Sequence, residues 1–342
     1  MTSRTVRIGF IGAGRFSQNR LLPQLKKVPG VELVVVANST PESSQRVAQQ
    51  FGFGRTAGDW REVVAAKDVE AIVVGTRTAM HPEMCIPVLE AGKHLLSMNA
   101  IAPDLAGARA MLQASQTRPN LVALVYPGQF YLREEAMMQW LLHEGYAGKV
   151  LHVLDYWHTR FFGLGSQFEI ANRWFGPHTR VFGYRKGFEV PPRGADHHAR
   201  DVRPESNVVL AELASSASLT YIHSTVAGES ALSRFEVYGD LGSIVCYAEG
   251  QAKTGFFGAK GTDKELQPIP VPANLKEADG SLKGVAVEAE FIAAVRGEKQ
   301  PGPAVPHFID GVRLLEFAEA WRKSAESGTW CALPLEAPVA SR

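Results

Sequence analysis

The chain has 342 residues, of which 45% are hydrophobic and 21% charged, and its formal net charge is +1. This length allows two domains, and the balanced charge argues against nucleic acid or a membrane surface as an electrostatic partner. The three cysteines lie far apart, so they offer neither a metal-ligand spacing nor a disulfide framework and suit a reducing compartment.

The amino-terminal residues lead almost directly into a strand, and no apolar run approaches the roughly 20 residues of a membrane-spanning helix. We therefore expect a cytoplasmic protein without a signal peptide, a membrane anchor or a metal site. Asp196, His197 and His198 are adjacent in a segment rich in proline and arginine. Adjacent side chains do not converge easily on one ion, so this segment is interpreted as a surface loop.

A glycine-rich turn is the most informative local feature. The apolar run Val6–Ile11 ends in Gly12-Ala13-Gly14 and leads into a segment of helical character. Gly12 permits a sharp turn, and Gly14 lets the backbone approach a pyrophosphate because it carries no Cβ. The helix N-terminus offers unpaired N–H groups and a positive dipole end. Ser17 stands where the dinucleotide-binding fingerprint has a third glycine or an alanine.

Strand and helix patterns alternate after this turn. Successive apolar strands separated by helices indicate a parallel sheet that is covered on both faces. The strands are predicted at Val6–Ile11, Val31–Ala37, Val69–Thr76, His94–Met98 and Leu121–Tyr126, and the helices at Pro41–Gly52, His81–Gly92 and Pro103–Ser115.

The pattern changes after Tyr126, where longer and partly alternating strands replace the alternation of strand and helix. This change indicates a second domain of α+β type. We predict a Rossmann-type, doubly wound parallel sheet in residues 1–125, and in residues 126–342 an α+β domain with a large open, mainly antiparallel sheet for substrate binding and oligomerisation. The predicted elements of the second part are the strands Val150–His158, Val208–Leu213, Ser218–Ser224, Arg234–Tyr238 and Ser243–Ala248, and the helices Glu134–His143, Val287–Val295 and Phe308–Ser324.

Five segments together resemble the glucose–fructose oxidoreductase, inositol dehydrogenase and MocA family of NAD(P)-dependent enzymes. They are the opening glycine turn and the segments Val73–Leu96, Glu144–Val153, Val237–Ile244 and Leu314–Gly328. The resemblance implies a two-domain oxidoreductase that acts on a small polar substrate such as a sugar, a cyclitol or a cyclic diol.

Two positions depart from the pattern of that family. The family has a Glu-Lys-Pro sequence whose lysine contacts cofactor and substrate and assists proton transfer, and here Asn99 stands at the lysine position. An amide can donate a hydrogen bond but cannot titrate. The family also has an acidic residue and a histidine on a helix of the second domain, and the corresponding segment Gly163–Gly176 keeps Glu169 without a histidine.

The predicted cofactor contacts follow the strand ends of the first domain. Asn38 ends the second strand, where an NAD enzyme usually has a carboxylate for the ribose hydroxyls. A neutral side chain tolerates a 2′-phosphate, so NADP is the expected cofactor and NAD the alternative. Ser39 and Thr40 contact the ribose in this interpretation, or they cap the next helix. The complete set of predicted cofactor-binding residues is Gly12, Gly14, Arg15, Phe16, Asn38, Ser39, Thr40, Thr76, His81 and Asn99.

The group that exchanges the substrate proton must replace the missing lysine and histidine. His158 closes a strand of the second domain, and a histidine titrates near neutrality. Tyr126 ends the last strand of the first domain, beside the expected nicotinamide. The predicted catalytic residues are Asn99, Tyr126, His158 and Glu169, with Tyr131 and Tyr156 as further acid/base candidates and Arg160 and Arg173 as possible substrate-carboxylate ligands or ion-pair partners.

The resemblance and the residues together predict an enzyme that transfers a hydride between a nicotinamide cofactor and a hydroxyl or carbonyl group. The alternative is a regulatory or non-redox homologue that binds the cofactor only, since both usual proton-transfer residues are absent. Few helices follow the predicted strands of the second domain, which leaves one sheet face uncovered. We therefore expect a homodimer or a homotetramer with a small-molecule substrate.

Overall fold

The computed structural model describes residues 4–127, 133–158, 165–189, 205–226, 233–247 and 254–335. The chain forms two compact units. The first unit comprises residues 1–128 and 286–315, and the second comprises residues 129–285 and 316–342. The sequence pattern predicts a single boundary after residue 125, whereas the structure returns residues 286–315 to the first unit.

Contacts with the last strand of the first unit explain this return. The Val125 amide donates a hydrogen bond of 2.8 Å to the Pro306 carbonyl. Leu124 forms an isolated β-bridge with His307. These contacts join residues that are far apart in the chain, so they cannot be predicted from the local periodicity of the sequence.

Strands and helices alternate through the first part of the chain, and strands dominate the remainder. The first part forms β1 (Val6–Ile11), a π-helix (Ser17–Leu21), α1 (Leu22–Leu25), β2 (Val31–Ala37), α2 (Pro41–Phe51), β3 (Arg55–Thr56), α3 (Trp60–Ala65), β4 (Ala71–Val74), a 3-10 helix (Thr78–Met80), α4 (His81–Glu90), β5 (His94–Met98), α5 (Leu105–Gln116) and β6 (Ala123–Tyr126). The remainder forms α6 (Glu135–His143), β7 (Val150–His158), α7 (Gly165–Phe175), β8 (His178–Gly187), β9 (Glu205–Leu213), β10 (Ser218–Ser224), β11 (Arg234–Gly239), β12 (Gly242–Tyr247), β13 (Gly255–Lys260), β14 (Gln267–Pro268), a second 3-10 helix (Ala273–Leu275), α8 (Val287–Val295), α9 (Phe308–Ser327) and β15 (Cys331–Ala332). None of the described helices combines the length and the apolar character needed to cross a membrane.

The first unit contains a six-stranded parallel sheet with the strand order β3-β2-β1-β4-β5-β6. Its central strands are apolar and buried, as expected for strands between two layers of helices. Ile8 of β1 pairs with Leu33 of β2 on one side and with Ala71 of β4 on the other. The strand order therefore reverses at β1, and ligands of doubly wound sheets bind outside the carboxyl ends of the strands at such a point.

The second unit contains a nine-stranded sheet with the order β14-β13-β12-β11-β7-β10-β9-β8-β15. Strands β7 and β10 run parallel, and the other pairings between described strands are antiparallel. In β7, Val153, Asp155 and Trp157 are buried, and the residues between them are partly exposed. Helix α7 packs on this buried face through Phe168, whose ring centroid lies 4.7 Å from that of Tyr221. We call it the α7 face.

The predicted fold class is confirmed, because the structure has a parallel Rossmann-type sheet followed by a mainly antiparallel sheet. The sequence pattern does not predict two long strands of the second sheet, β8 and β13. Strand β8 carries Arg180, Arg185 and Lys186, and β13 contains two glycines. Both strands are specified by pairing with β9 and β12, since strand formation depends strongly on the neighbouring strand.

Candidate active site

The glycine turn after β1 has the geometry that a dinucleotide requires. Gly12 has a φ of 78°, in the left-handed region that favours glycine. A Cβ on Gly12 would lie 2.9 Å from the Thr76 backbone nitrogen, so a larger residue cannot fit there. A Cβ on Gly14 would meet no atom within 4 Å. The turn therefore packs against the segment after β4 on one side and leaves open space at Gly14 on the other.

Asn38 holds this turn in place. The Ala13 amide donates a hydrogen bond of 2.7 Å to the Asn38 Oδ1 atom. The Asn38 Nδ2 atom donates a hydrogen bond to the Ser43 hydroxyl at 3.0 Å. The backbone amide of Asn38 donates to the Ser44 hydroxyl at 2.9 Å. The side chain at the expected ribose position is thus engaged in fixing the turn. The ribose contact itself stays a prediction.

The other predicted residues of this region lie at the surface. Arg15, Ser39 and Thr40 are exposed, and Phe16 is 39% exposed. Thr40 caps α2, because its hydroxyl accepts a hydrogen bond of 3.2 Å from the Ser43 amide. The structure therefore shows the helix-capping role predicted as the alternative for Thr40, and a ribose contact of Ser39 and Thr40 stays a prediction.

His81 connects two loops at the carboxyl ends of β4 and β5. Its side chain is fully buried. Its Nε2 atom lies 3.1 Å from the Thr76 carbonyl, and its Nδ1 atom lies 3.1 Å from the Ala100 carbonyl. Burial lowers the pKa of His81, against the effect of these carbonyls. The structure gives His81 the role of fixing the loops that carry Thr76 and Asn99, and a direct cofactor contact stays a prediction.

Asn99 and Tyr126 lie side by side at the ends of β5 and β6. The Asn99 amide donates a backbone hydrogen bond of 3.2 Å to the Tyr126 carbonyl. The buried Tyr126 phenol donates to the Glu288 carboxyl at 3.2 Å, and its ring meets Phe16 edge-on at 5.9 Å between centroids. Burial raises the pKa of Glu288. A phenol and a carboxyl group are thus paired at the end of β6, the strand next to the one that Asn99 follows.

Glu169 belongs to a buried ion cluster of the second unit. Arg173 donates to Glu169 one turn away on α7, and it pairs with Glu135 of α6 at 2.7 Å. Burial alone would lower the pKa of Arg173, but the two carboxylates outweigh it and raise the pKa. The Trp174 indole also donates to Glu135, at 2.8 Å. The ion-pair alternative for Arg173 is therefore the one that the structure shows.

His158 lies at the end of β7, in the second unit. Its ring stacks on Tyr156 with 6.4 Å between centroids, and its Nδ1 atom is buried and has no hydrogen-bond partner among the described residues. Burial lowers the pKa of His158, and the nearby charges of His223 and Arg234 lower it further. The alternation of β7 places His158, like Tyr156, on the sheet face opposite α7.

Asp155 and His223 form a buried pair on the α7 face that sequence reasoning misses. The His223 Nε2 atom lies 2.8 Å from Asp155 Oδ2. Burial raises the pKa of Asp155, and the neighbouring His223 opposes this shift. The sequence does give one signal for this pair, because Asp155 is a charged residue at a position of β7 where the alternation predicts a buried side chain. Its partner His223 cannot be predicted in the same way, since it depends on how the strands pair. The same reason explains why Glu288 is missing from the predicted site.

Several predicted candidates lie outside the described residues, namely Tyr131, Arg160, Asp196, His197 and His198. Within the described ranges, no group of three or more histidine, cysteine, aspartate or glutamate residues is arranged to hold a metal ion.

One known protein family matches the first part of the chain. The family described as "Oxidoreductase family, NAD-binding Rossmann fold" matches residues 6–126. The predicted resemblance to the glucose–fructose oxidoreductase, inositol dehydrogenase and MocA family is therefore confirmed over this segment.

Similar proteins of known activity match over about a third of this chain. The chain is 35% identical over 120 residues to 4-carboxy-2-hydroxymuconate-6-semialdehyde dehydrogenase of a Sphingobium strain, a match that covers 35% of this chain and 38% of that protein. It is 28% identical over 117 residues to levoglucosan dehydrogenase of Pseudarthrobacter phenanthrenivorans, covering 34% of this chain and 30% of the relative. The matches thus span less than half of each relative.

Solved structures share the whole fold at low sequence identity. A levoglucosan dehydrogenase in complex with NADH and L-sorbose matches 97% of this chain and 100% of its own, with a TM-score of 0.77 and 20% identity. The WlbA dehydrogenase of Bordetella pertussis, in complex with NADH and UDP-GlcNAcA, matches 98% of this chain and 100% of its own, with a TM-score of 0.74 and 19% identity. The two-domain fold is therefore common to all three.

Proposed function

We propose that this protein is an NAD(P)-dependent oxidoreductase that transfers a hydride between the nicotinamide and a hydroxyl or carbonyl group of a small polar substrate. A sugar, a cyclitol or a cyclic diol is the proposed substrate class, in line with the named activities of several relatives. The observation that carries the proposal is the turn at Gly12–Gly14, which is fixed by Asn38 and open at Gly14.

The residues of the first unit fit a dinucleotide. The pyrophosphate would lie over Gly14, at the N-terminal end of the helical segment, with the exposed Arg15 as a counter-charge. The adenosine ribose would contact the segment that begins at Asn38. Thr76 and Asn99 would line the nicotinamide half. When bound, the nicotinamide accepts or supplies the hydride, and the protein positions the reacting carbon and handles the proton.

Two glycine variants test the cofactor site. Gly14→Val is expected to reduce NADPH and NADH affinity at least tenfold without loss of thermal stability, because its side chain enters open space. Gly12→Ala is expected to lower thermal stability, because its Cβ meets Thr76 and its φ is strained. Gly187→Val is the matched control, since a Cβ there also meets no atom within 4 Å. Unchanged cofactor binding by Gly14→Val would contradict the proposal.

NADP(H) is the proposed cofactor, because Asn38 lacks the charge that would repel a 2′-phosphate. Asn38→Asp keeps an oxygen for the Ala13 amide, so the turn can remain in place while a charge is added. We expect this variant to lose about 1–3 kcal/mol of NADP(H) affinity and much less NAD(H) affinity. Calorimetry with both cofactors measures the difference. Equal affinities of the wild type for the two cofactors would remove the basis for the preference.

His158 is the proposed proton-exchanging residue, because its unpaired ring nitrogen contrasts with Tyr126, which donates to Glu288, and Glu169, which accepts from Arg173. Asn99 would position the substrate by hydrogen bonding without exchanging a proton.

A regulatory protein of the same fold would bind the cofactor without reacting. One measurement distinguishes the two alternatives. The protein is loaded with oxidised cofactor, polyols are added, and the absorbance of reduced nicotinamide is followed. Formation of reduced nicotinamide supports the oxidoreductase, and its absence with every sugar, cyclitol and diol tested favours the regulatory alternative.

We further propose a cytoplasmic homo-oligomer without a nucleic-acid partner. Cys85, Cys246 and Cys331 are unpaired in the structure, in keeping with a reducing compartment. Tyr184, Leu210 and Tyr238 are exposed large side chains on the sheet face opposite α7, which supports its burial against a second copy.

A further inference from the structure

A tyrosine and a glutamate form a buried pair at the carboxyl edge of the parallel sheet. Tyr126 is the last residue of β6, and Glu288 is the second residue of α8. The Tyr126 phenol donates a hydrogen bond of 3.2 Å to the Glu288 Oε1 atom, and each residue is only 4% exposed. Both residues belong to the first unit. We call Tyr126 and Glu288 the edge pair.

The edge pair lies next to the segment that is expected to hold the nicotinamide. Met98 of β5 pairs with Tyr126 of β6 in the strand register, and Asn99 follows Met98. The Asn99 amide donates to the Tyr126 carbonyl at 3.2 Å. Asn99 is partly exposed, so the accessible surface of the sheet edge begins directly beside the buried pair.

A ring contact connects the edge pair to the glycine turn. Tyr126 meets Phe16 edge-on with 5.9 Å between ring centroids, and Phe16 lies two residues after Gly14. The turn follows β1, and β1 is separated from β6 in the sheet by β4 and β5. The ring contact therefore spans the carboxyl ends of these two strands. A dinucleotide whose pyrophosphate lies over Gly14 would extend its nicotinamide half along the same edge.

Glu288 is a carboxyl group that burial holds towards its neutral form. Burial raises the pKa of Glu288, and the hydrogen bond from Tyr126 opposes this shift. None of the ion pairs between the described parts of the chain involves Glu288. A cation brought close to such a carboxyl favours its charged form and lowers its pKa again. Glu288 can therefore lose its proton in response to a positive charge at the sheet edge.

The charged and titratable groups of the neighbouring elements have other roles. On α8, Glu290 pairs with Lys299 at 2.6 Å. Arg296, which follows the helix, donates to backbone carbonyls of the first unit. At the end of β4, burial lowers the pKa of His81, which keeps its ring uncharged near neutral pH. Arg15 of the glycine turn is exposed and is the proposed counter-charge of the pyrophosphate. A charge that arrives with the nicotinamide would thus act on a carboxyl that no described cation already pairs.

We propose that Glu288 distinguishes the two redox states of the bound nicotinamide. The oxidised ring carries one positive charge, and the reduced ring carries none. Beside the oxidised ring, the O–H bond of the Glu288 carboxyl breaks, the proton passes to water, and the Tyr126 phenol donates to the resulting carboxylate. Beside the reduced ring, the carboxyl keeps its proton. The edge pair need not touch the ring, because charges in a buried environment interact over several ångströms.

This inference rests on the proposed cofactor site, but it concerns binding and does not require turnover. Because proton loss accompanies binding of the oxidised form alone, the affinity for NADP+ should rise with pH relative to that for NADPH. In an oxidoreductase, the edge pair would hold the oxidised cofactor more tightly as the pH rises. In the regulatory alternative, it would make occupancy depend on the ratio of oxidised to reduced cofactor.

The test is calorimetric titration of the full-length protein with NADP+ and with NADPH, from about pH 5 to about pH 8. Each titration is repeated in two buffers of different ionisation enthalpy, since the difference in heat gives the number of protons released. We expect the wild type to release more protons with NADP+ than with NADPH. NAD+ and NADH are measured as a second pair, because they lack the 2′-phosphate, which titrates in the same pH range.

Two variants of the edge pair sharpen this test. Glu288→Gln keeps an acceptor for the Tyr126 phenol but cannot ionise. We expect it to abolish the difference in proton release and to weaken NADP+ binding by about tenfold, with NADPH affinity unchanged. Tyr126→Phe removes the donor that stabilises the carboxylate, so the pKa of Glu288 should rise further and the proton release should move to higher pH.

Glu290→Gln is the matched control. It removes a carboxylate from the same helix, but one that is paired with Lys299, and it should release protons as the wild type does. If Glu288→Gln fails to fold, the displaced proton release in Tyr126→Phe carries the test.

The outcomes separate this inference from the proposed function. Unequal proton release that is lost in Glu288→Gln and kept in Glu290→Gln supports the role of Glu288, even if no substrate is ever oxidised. Equal release with the two redox states in the wild type, or unequal release that persists in Glu288→Gln, overturns that role and leaves the oxidoreductase intact. If neither cofactor binds, both proposals fail together.

Discussion

At the residue scale, the residue that takes the proton of the substrate hydroxyl must have an acceptor atom that is not already hydrogen-bonded. His158 has an unpaired ring nitrogen, and its pKa is lowered by burial and by the charges of His223 and Arg234. His158→Ala is therefore expected to reduce kcat of alcohol oxidation by roughly 10²–10⁴, with cofactor binding intact. The base must be neutral, so the wild-type rate should fall only on the acidic side, below the ordinary histidine pKa of about 6.5.

The controls for this prediction are Asn99→Ala and Tyr126→Phe. Asn99→Ala should cost less and affect KM in part, because an amide only positions the substrate. Tyr126→Phe removes a phenol that donates to Glu288 and should leave the acidic limb of the pH–rate profile unchanged. If Tyr126→Phe causes the larger loss and His158→Ala turns over normally, the proton-exchanging residue is Tyr126.

Individual site residues can be predicted from sequence where a local motif fixes them. The turn at Gly12 and Gly14 depends on residues that are neighbours in the chain, and its geometry agrees with the predicted one. Glu288 is separated from Tyr126 by 162 positions, and His223 from Asp155 by 68. Pairs so far apart are created by the fold, and one sequence contains no signal of their contact.

At the element scale, helix α7 carries a buried polar side chain that lowers the stability of the fold. Gln167 is fully buried with both amide atoms unpaired. Gln167→Met keeps the length of the side chain and removes both polar atoms. We expect this variant to unfold at higher urea concentration than the ligand-free wild type, with a gain of about 1–3 kcal/mol.

Gln139 on α6 provides the matched control for this substitution. Its amide donates to Glu135 at 3.3 Å, so Gln139→Met removes an existing hydrogen bond and should not stabilise the protein. Destabilisation of the same size by both substitutions would show that the Gln167 amide is as well satisfied as that of Gln139.

A strand or helix can be predicted from the sequence where its own residues show the apolar periodicity of that element. Strand β7 alternates and matches its predicted bounds of Val150–His158, and the apolar strands of the first unit also lie at the expected positions. Strand β8 has several charged residues and lies next to β9 in the sheet. Its extended conformation comes from this pairing, because the charged side chains give no apolar alternation to detect.

At the scale of the whole molecule, buried histidines make stability depend on pH. Burial lowers the pKa of His178 to about 3, whereas the unfolded chain has the ordinary value of about 6.5. Between these values the unfolded state binds the proton and the folded state does not. The contribution of His178 is therefore complete above about pH 6.5, falls as the pH decreases, and is lower by roughly 2 kcal/mol at pH 5.

Urea denaturation of the wild type and of His178→Gln at pH 8 and pH 5 measures this contribution. Glutamine keeps an acceptor for the Tyr221 hydroxyl that His178 now contacts, so the variant should lose less stability between the two pH values. His152→Gln is the control on the opposite face of the sheet and should follow the wild type. An identical pH dependence of all three proteins would exclude His178 as the source.

The open face of the nine-stranded sheet favours self-assembly. Tyr184, Leu210 and Tyr238 are 56%, 40% and 39% exposed, and their strand register places them on the face opposite α7. Burial of such a face against a second copy removes apolar surface from water. We expect the wild type to sediment as a dimer or tetramer at micromolar concentration and Leu210→Lys to sediment as a smaller species. Ile309→Lys, which changes an exposed residue of the first unit, should leave the sedimentation coefficient unchanged, and a wild-type monomer at that concentration would contradict the proposed assembly.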